Sequence, residues 1–317
     1  MFKFGITGCG RVTEKIYIDA IRKMDGAKIV AVADPLKERR KIAISMFPDS
    51  KSYNSIDDLL KYSQIDGLII ASPSEYHVAD LIKAINYNVP VLVEKPLALN
   101  TEQLHELTGL TNQEKKTVMI GFNRRYWDPI IKLKNNCMLN RVSGEYRLIT
   151  NYSSWNPIAE KLDPLDDLTH HQIDLTRFIT KNEVKSIEIL DKEKNIVKLL
   201  FEKGSVFKLM SNHSDIHREY LKIKTGDKEY YINSSSNRIS PNEGNVRRVY
   251  DVFEKYVRLF NNQKSSFNLS YRRELLDFMK NVDKKQAMSP GLEDGVIPVK
   301  IVEAIRKSSY NGEEIKV

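Results

Sequence analysis

Nearly continuous apolar runs alternate with helical patterns over about the first 120 residues, and this order constrains the fold more than any other feature. The runs are FKFGIT (2–7), KIVAVAD (28–34), DGLIIAS (66–72), VLVE (91–94) and TVMIGF (117–122). The helical patterns lie at about 17–24, 36–46, 55–60, 75–85 and 100–113. Strands that are apolar on both faces are typical of a parallel sheet covered by helices on each side. The pattern predicts an α/β fold whose first domain, residues 1–121, is a doubly wound parallel sheet.

The pattern changes in residues 122–317, where strand segments alternate in polarity. Examples are GEYRLITNY (144–152) and SVFKLMS (205–211), and EKGS (202–205) and TGDK (225–228) are hairpin-like turn signals. Such alternation predicts a largely antiparallel open sheet with one face covered by helices, hence a second domain of the α+β type. The stretch NSSSNRISPNEGN (233–245) is predicted to be a polar loop.

Composition limits the class of protein. With 317 residues, 41% of them hydrophobic and 29% charged, the chain suits a soluble protein of about two domains. No apolar run approaches the roughly 20 residues that a bilayer-spanning helix needs, and the start of the chain does not resemble a secretion signal. Cys9 and Cys137 have no metal-ligand spacing and suit a reducing compartment. We therefore expect a cytoplasmic protein with no membrane partner. The 50 basic and 42 acidic residues are scattered, which argues against nucleic-acid binding.

The turn after the first strand, GCGRVT (8–13), resembles the G-x-G-x-x-G pattern that brings backbone amides against a pyrophosphate. Gly8 and Gly10 match, while Thr13 replaces the third glycine. Asp34, at the end of the second strand, lies at the spacing expected for an acceptor of a ribose 2′-hydroxyl, although it could instead cap the helix after Pro35. The combination predicts a Rossmann domain that binds a dinucleotide. The predicted cofactor-binding residues of these two turns are Gly8, Gly10, Arg11, Val12 and Asp34.

The type of nicotinamide cofactor also depends on Asp34. A carboxylate accepts hydrogen bonds from a 2′-hydroxyl and repels a 2′-phosphate, so NAD is the expected cofactor. The nearby Lys37, Arg39 and Arg40 leave NADP possible.

Further motifs are similar to those of the Gfo/Idh/MocA oxidoreductase family, the glucose–fructose oxidoreductase and inositol dehydrogenase group. They are ASPSEYH (71–77), EKP (94–96), GFNRRY (121–126), DLTHHQIDL (167–175) and EDGVIPVKIVEAIRKS (293–308). The resemblance runs from Phe4 to about Val317. The chain departs from the family's pattern at Thr169, where glycine is usual, and in the loop 159–166, which lacks the usual glycines. The second departure leaves the identity of the substrate open.

The charged turn EKP stands at the carboxyl end of a buried strand, where open α/β sheets bind ligands. Lys95 could hold a substrate oxygen there and stabilise charge on it, or it could be a surface lysine at the end of a strand. The resemblance implies that Glu94 orients the site near the nicotinamide and that Pro96 fixes the turn. It also places Ser72, Pro73, His77 and Lys95 in the cofactor-binding set, although His77 could instead cap its helix.

Asp167, His171 and Asp174 are spaced to share one helix face. A histidine can move a proton near neutral pH, and an aspartate one turn earlier can orient its ring. The resemblance implies that His171 is the general acid/base, that Asp167 is its catalytic and substrate-binding partner, and that Asp174 supports them. A metal site with His170 is the less favoured alternative, because adjacent helical residues point in different directions.

The substrate-binding residues predicted from these motifs are Lys95, Arg124, Asp167 and His171. Of Arg124 and Arg125, one could form a salt bridge within the fold and the other could face the substrate.

The resemblance implies an NAD(P)-dependent oxidoreductase that interconverts a secondary hydroxyl and a ketone on a sugar, cyclitol or sugar nucleotide. Two alternatives are an NAD-dependent glycosidase of the same fold and a cofactor-binding sensor without catalysis. The uncovered face of the second sheet predicts a homodimer or homotetramer.

Overall fold

The computed structural model describes residues 1–136, 141–150, 163–214, 218–233, 238–241, 266–308, 312 and 314–317. The chain divides into two units. The first is Met1–Asn123 with Tyr271–Val299, and the second is Arg124–Ser270 with Lys300–Val317. A boundary drawn at residue 121 from the sequence therefore differs from this division mainly in the segment Tyr271–Val299, which returns to the first unit.

The first unit contains a six-stranded parallel sheet in the order β3-β2-β1-β4-β5-β6, which confirms the predicted doubly wound sheet. Its strands are β1 (Phe2–Thr7), β2 (Ala27–Ala33), β3 (Lys51–Tyr53), β4 (Gly67–Ile70), β5 (Val91–Val93) and β6 (Val118–Ile120). The strand order reverses at β1, between β2 and β4. In sheets of this kind, ligands bind at the carboxyl ends of the strands near that reversal.

Short helices connect these strands. They are α1 (Ile18–Arg22), which continues a π-helical segment Thr13–Tyr17, α2 (Lys37–Met46), α3 (Ile56–Tyr62), α4 (His77–Asn86), α5 (Thr101–Leu104) and α6 (Asn112–Lys115). The prediction of a single helix over 100–113 is wrong. Instead, α5 continues into a 3₁₀ segment, His105–Gly109, and α6 is a separate helix. Gly109 ends that segment, and Thr111 begins α6 with a capping box to Glu114.

The returning segment carries most of α9 (Ser266–Asp283) and the first half of α10 (Leu292–Lys307). Phe278 is fully buried, and its ring stacks on Phe4 of β1 with the centroids 6.1 Å apart. A Cβ at Gly67 would lie 2.6 Å from the Phe278 ring, so this glycine is needed for close packing. Aromatic burial of this size contributes strongly to a core, which explains why the segment belongs with the first unit.

The second unit contains an eight-stranded sheet in the order β13-β12-β11-β7-β10-β9-β8-β14. Its strands are β7 (Ser143–Thr150), β8 (Val184–Asp191), β9 (Ile196–Phe201), β10 (Val206–His213), β11 (Arg218–Thr225), β12 (Lys228–Asn233), β13 (Arg238–Pro241) and β14 (Glu314–Lys316). β7 and β10 pair in parallel and the other pairs are antiparallel, so the prediction of a largely antiparallel sheet is confirmed.

The second unit contains two further helices, one just after the motif 121–126 and one that overlaps the motif 167–175. They are α7 (Asp128–Asn136) and α8 (His170–Thr180), and α8 continues a π-helical segment, Leu165–Thr169. The predicted polar loop 233–245 contains β13, while 234–237 and 242–245 lie outside the described residues, as do Cys137 and residues 159–162 of the loop 159–166. Across the part of the chain that the structure describes, no helix combines the length and the apolar character needed to span a bilayer.

Candidate active site

The glycine-rich turn follows β1 and has the shape that a phosphate-binding turn requires. Gly8 has a φ of +83°, and a Cβ at this position would collide with the backbone of Ala71 and Ser72 after β4. Only glycine tolerates both the positive φ and this close approach. At Gly10, by contrast, an added Cβ would meet nothing within 4 Å. The turn therefore packs closely on the end of β4 at Gly8 and is open at Gly10.

Thr13 explains how the turn is held without the third glycine of the pattern. Its side chain is fully buried, and its hydroxyl donates to the Gly8 carbonyl over 2.6 Å. Val12 precedes the π-helical segment as its N-cap residue. The Nε of Arg11 is buried at the start of this helix and has no hydrogen-bond partner. An unsatisfied guanidinium nitrogen beside an open glycine turn suits an anionic ligand.

Asp34 lies at the end of β2 and is 4% exposed. Its Oδ2 accepts from the Cys9 amide over 2.9 Å, and its Oδ1 accepts from the Leu36 amide over 2.8 Å. The second contact closes a turn before α2, whose N-cap residue is Leu36 and which has no side-chain cap, so Asp34 does not cap this helix. The first contact ties Asp34 to the glycine-rich turn. Each carboxylate oxygen can accept a further hydrogen bond, so these two backbone contacts are compatible with ribose binding.

The end of β4 is held by two side chains of α4. The Ser72 hydroxyl donates to Asp80 over 2.8 Å, and burial raises the pKa of the Asp80 carboxyl. His77 is buried, with Nδ1 2.7 Å from the Pro96 carbonyl and Nε2 2.8 Å from the Ser72 carbonyl. Its ring therefore bridges the turns after β4 and β5 and does not cap α4. Pro73 follows Ser72 on the exposed surface.

The turn after β5 contains Glu94, Lys95 and Pro96, and the Lys95–Pro96 bond is cis. Glu94 is buried, and Tyr17 donates its hydroxyl to Glu94 Oε1 over 2.7 Å. Glu94 Oε2 accepts from the Lys95 amide over 3.2 Å. A Cβ at Gly121 would lie 3.1 Å from the same oxygen, so the residue after β6 leaves room for the carboxylate. Lys95 is partly buried at the carboxyl end of its strand.

These residues of the first unit fit a nicotinamide dinucleotide. The turns that carry Gly10, Asp34, Ser72 and Lys95 follow β1, β2, β4 and β5, which are neighbours in the sheet. The open space at Gly10 and the unsatisfied Arg11 Nε are suited to the phosphates, and Asp34 is suited to a ribose.

In the second unit, the predicted acid/base residues lie on one continuous helical segment. Asp167 is in the π-helical part and is half-buried, while His170 and His171 are buried at the start of α8. The π-helical turns change the regular α-helical spacing on which the shared face of Asp167, His171 and Asp174 was predicted. Within the described residues, no three His, Cys, Asp or Glu side chains form a cluster suited to a metal ion.

Both arginines of GFNRRY are engaged inside the second unit. Arg125 forms a buried ion pair with Asp174, in which Nε lies 3.0 and 3.1 Å from the carboxylate oxygens. Arg124 Nε lies 3.2 Å from Glu219 Oε1, and Arg124 Nη1 lies 2.9 Å from His171 Nε2. Both arginines therefore form salt bridges within the second unit, and the one of Arg125 joins it to the acid/base helix.

Three side chains of these networks were not singled out from the sequence, namely Tyr17, Tyr146 and Glu219. Tyr146 donates its hydroxyl to Glu219 inside the second unit. In β11, Glu219 alternates with the buried Leu221 and Ile223, so it stands on the buried face of the strand. A charged residue in register with buried apolar residues needs a partner, and that signal could have found Glu219. Tyr17 gives no such signal, because it reads as one more apolar position of its helix.

A dinucleotide turn, a charged turn after β5 and a helix with a buried histidine define the class of a two-domain nicotinamide-dependent oxidoreductase. Residues 2–122 match the model of the oxidoreductase family with an NAD-binding Rossmann fold, and residues 184–317 match its C-terminal alpha/beta domain. Together the two models cover more than half of the chain. The protein belongs to the Gfo/Idh/MocA oxidoreductase family, and its cofactor is NAD.

Relatives and solved structures agree with this assignment. The chain is 23% identical to the inositol 2-dehydrogenase of Rhizobium meliloti (strain 1021), over 99% of each chain. The WlbA dehydrogenase from Bordetella pertussis, solved with NADH and UDP-GlcNAcA, has a TM-score of 0.81 at 16% identity, covering 100% of this chain and 97% of that one. The myo-inositol dehydrogenase from Lactobacillus casei, solved with NAD(H) and myo-inositol, has a TM-score of 0.73 at 20% identity, with the same coverage. At these identities the structural likenesses show the fold alone.

Proposed function

We propose that the protein is an NAD-dependent dehydrogenase that interconverts a secondary hydroxyl and a ketone on a sugar, cyclitol or sugar nucleotide. The observation that carries this proposal is the turn Glu94-Lys95-Pro96, in which a lysine stands at the carboxyl end of β5, at the same edge of the sheet as the dinucleotide turn and two strands from it. The names of the relatives support the substrate class, because they include inositol dehydrogenases and a protein solved with a nucleotide sugar acid.

In this proposal NAD supplies the hydride acceptor, and the chain's own residues handle the substrate oxygen and its proton. Lys95 donates a hydrogen bond to the oxygen and stabilises the negative charge that develops on it. His171 takes the proton of the hydroxyl as the O–H bond breaks, and Asp167 assists it. The reverse reaction returns both hydrogens to the ketone, so the atoms and charges balance in either direction.

A substrate screen tests the function directly. The purified protein would be incubated with NAD or NADP and with inositols, free sugars or nucleotide sugars, while the absorbance of reduced nicotinamide is followed. We expect a stoichiometric appearance of reduced cofactor with at least one secondary alcohol. Release of a sugar without net reduction of the cofactor would instead indicate a glycosidase, and binding of NAD with no turnover on any of these classes would indicate a sensor.

The substitution Lys95→Ala tests the role of the lysine once a substrate is known. We expect turnover to fall by about 10² to 10³, because one stabilising donor is lost, while NAD affinity is retained. Lys61→Ala is the control, since Lys61 is exposed on α3 and should leave turnover unchanged. If Lys95→Ala keeps normal turnover, the proposed mechanism is wrong.

His171→Ala tests the proton transfer in the same assay. Losing a positioned acid/base group typically lowers turnover by about 10² to 10⁴. The losses of Lys95→Ala and His171→Ala should not add fully in the double variant, because both groups act on one oxygen and its proton. Full additivity would show that the two residues act in separate steps.

A further inference from the structure

Three buried side chains form a network with His171 in the second unit. Arg124 Nη1 lies 2.9 Å from His171 Nε2, and the Nε and Nη2 of Arg124 lie 3.2 and 3.4 Å from the Glu219 carboxylate oxygens. The Tyr146 hydroxyl donates to the same carboxylate. Arg124 follows β6, Glu219 is on β11 and Tyr146 is on β7. All four residues are at most 6% exposed, so water does not compete strongly for these contacts.

The direction of each hydrogen bond follows from the chemistry of the groups. A guanidinium carries only donors and stays protonated, so Arg124 donates to Glu219 and to His171. Burial, and next the charge of Glu219, raise the pKa of Tyr146 well above its ordinary value, so its hydroxyl keeps the proton that it donates. Glu219 therefore accepts from both neighbours. His171 Nε2 is left as the acceptor of the Arg124 N–H.

We propose that Arg124, held by Glu219 and Tyr146, is a positioning residue that fixes His171 as its Nδ1–H tautomer, so that Nε2 carries the lone pair that takes the substrate proton. The inference rests on the proposed function, in which His171 takes the proton of the substrate. A neutral imidazole has one N–H and one ring lone pair. The opposite tautomer would bring the Nε2 hydrogen against the Nη1 hydrogen of Arg124, with no acceptor between them.

This arrangement accounts for the proton and for the charge during oxidation of the alcohol. The O–H bond of the substrate breaks and an N–H bond forms at His171 Nε2. Hydride leaves the carbon that bears this oxygen for NAD, and the C–O bond becomes C=O. Because the guanidinium is rigid and stays on Glu219, a small turn of the imidazole ring exchanges the Arg124 Nη1–H for the substrate O–H at Nε2. Arg124 keeps its other contacts to Glu219, so its charge stays beside the oxygen that loses the proton.

The tautomer can be measured in the wild-type protein without a substrate. Long-range ¹H–¹⁵N spectra of the histidine rings distinguish protonated from unprotonated nitrogens, and the signals of His171 are those missing from the His171→Asn variant. At a pH where the ring is neutral, we expect Nδ1 protonated and Nε2 unprotonated. A wild-type ring protonated on Nε2 would overturn the inference.

The variant Arg124→Met removes the donor while it keeps much of the side-chain volume. We expect the His171 spectrum to change toward the Nε2–H form, which a free histidine side chain prefers. The double variant Arg124→Met/Glu219→Met avoids leaving a buried charge without a partner, and it should give the same spectrum. An unchanged tautomer in a folded preparation of either variant would show that Arg124 does not set it.

Turnover gives an independent readout through Glu219→Gln, which keeps the shape and removes the charge that holds Arg124. We expect kcat to fall by at least about tenfold, while the KM for NAD stays unchanged. The upper limit is a fall of about 10⁴, the loss known for a catalytic histidine in the wrong tautomer. Tyr146→Phe should lower kcat less, because one neutral donor is lost. Unchanged kcat in both variants would contradict the inference.

A second tyrosine–glutamate pair in the same sheet offers a matched control. Tyr231 donates its hydroxyl to Glu229 over 2.6 Å on β12, on the more exposed face. Glu229→Gln and Tyr231→Phe should therefore leave kcat and the His171 spectrum unchanged. Failure to find a substrate would count against the proposed function, whereas an active enzyme with the wrong tautomer would count only against the role of Arg124.

Discussion

Asp34 illustrates at the scale of one residue how a carboxylate can serve both the fold and the cofactor. It accepts from the amides of Cys9 and Leu36, so the turns after β1 and β2 are fixed to each other before any ligand binds. Arg39 Nη1 lies 4.0 Å from Asp34 Oδ2 and is 40% exposed. A negative group suited to a ribose hydroxyl and a cation suited to a phosphate are therefore side by side.

The preference between the two nicotinamide cofactors follows from this pair. We expect tighter binding of NAD than of NADP, because the Asp34 carboxylate repels a 2′-phosphate. Arg39→Ala should weaken NADP by about tenfold, near the value of one hydrogen bond to a charged group, and should change NAD little. Fluorescence titration of both oxidised cofactors measures this, with the exposed Arg22→Ala as control. Tighter NADP binding by the wild type would mean that the basic residues prevail.

His77 supports the cofactor turns, and its charge state links them to pH. Burial is the main cause of its lowered pKa, so the folded protein keeps the ring neutral where the unfolded chain, with a value of 6.5, binds a proton. Stability from this group is present above pH 6.5 and is lost as the pH falls toward the folded pKa. The groups that act on its charge are Lys95, which lowers the pKa, and Glu75, which raises it.

His77→Gln should therefore flatten the loss of stability below about pH 6.5. At neutral pH it should destabilise the fold by about 1–3 kcal/mol, because one buried carbonyl loses the N–H that the neutral ring donates. Urea unfolding between the neutral and the mildly acidic range measures both effects. His105→Gln, at a more exposed site on the same unit, is the control. Equal acid sensitivity in the wild type and in His77→Gln would assign the effect to other groups.

At the scale of elements, α8 is held by one buried and one partly exposed ion pair. Arg125 pairs with Asp174 in the middle of the helix, where both side chains are at most 8% exposed. Arg177 pairs with Glu183 near its end. These pairs fix the helix that carries His171, so its ring is placed by the helix as well as by Arg124.

Breaking the pair of Arg125 and Asp174 tests this anchoring. Asp174→Asn should lower the free energy of unfolding by about 3–5 kcal/mol, because a buried guanidinium loses its counter-charge. Asp191→Asn, which removes the exposed partner of Lys194, should have no measurable effect. Chemical unfolding followed by circular dichroism measures both variants. A small loss for Asp174→Asn would show that water or another group replaces the pair.

At the scale of the whole molecule, the open sheet of the second unit predicts self-association. One face is packed, with Tyr146, Leu148, Phe207 and Leu209 buried, and the other carries partly exposed Val206 and Met210. Ion pairs such as Lys198 with Glu188 lie among them. This outer face is therefore amphipathic and less apolar than strand alternation alone suggested.

We expect a homodimer or homotetramer that buries this outer face. Light scattering at micromolar concentration should give a mass of two or four chains, and Met210→Lys should shift it toward one chain by adding charge at the centre of the face. Lys61→Glu on α3, in the first unit, is the control. A wild-type mass of one chain would contradict this expectation.

The sequence alone was sufficient for the class of both sheets and for the cofactor, since these depend on local signals, but it did not predict β3, β13, β14 or the order of the strands. A short stretch of sequence is enough to identify each of these features: the apolar strand runs, the turn at Gly8 and Gly10, and the charged residues after β5. The family motifs likewise pointed to His171 before any contact was known.

Only the tertiary structure decided which distant residues meet. Tyr17 reaches Glu94, and Arg124 reaches both His171 and Glu219 across 47 and 95 positions. Periodicity places a residue on a face of its own element but does not say which element packs against that face, and side-chain partners are set by that packing. The return of Tyr271–Val299 to the first unit could not be predicted for the same reason. The sequence of this helix does not say which sheet its aromatic face packs on, and the structure shows that Phe278 packs on Phe4 of the first sheet.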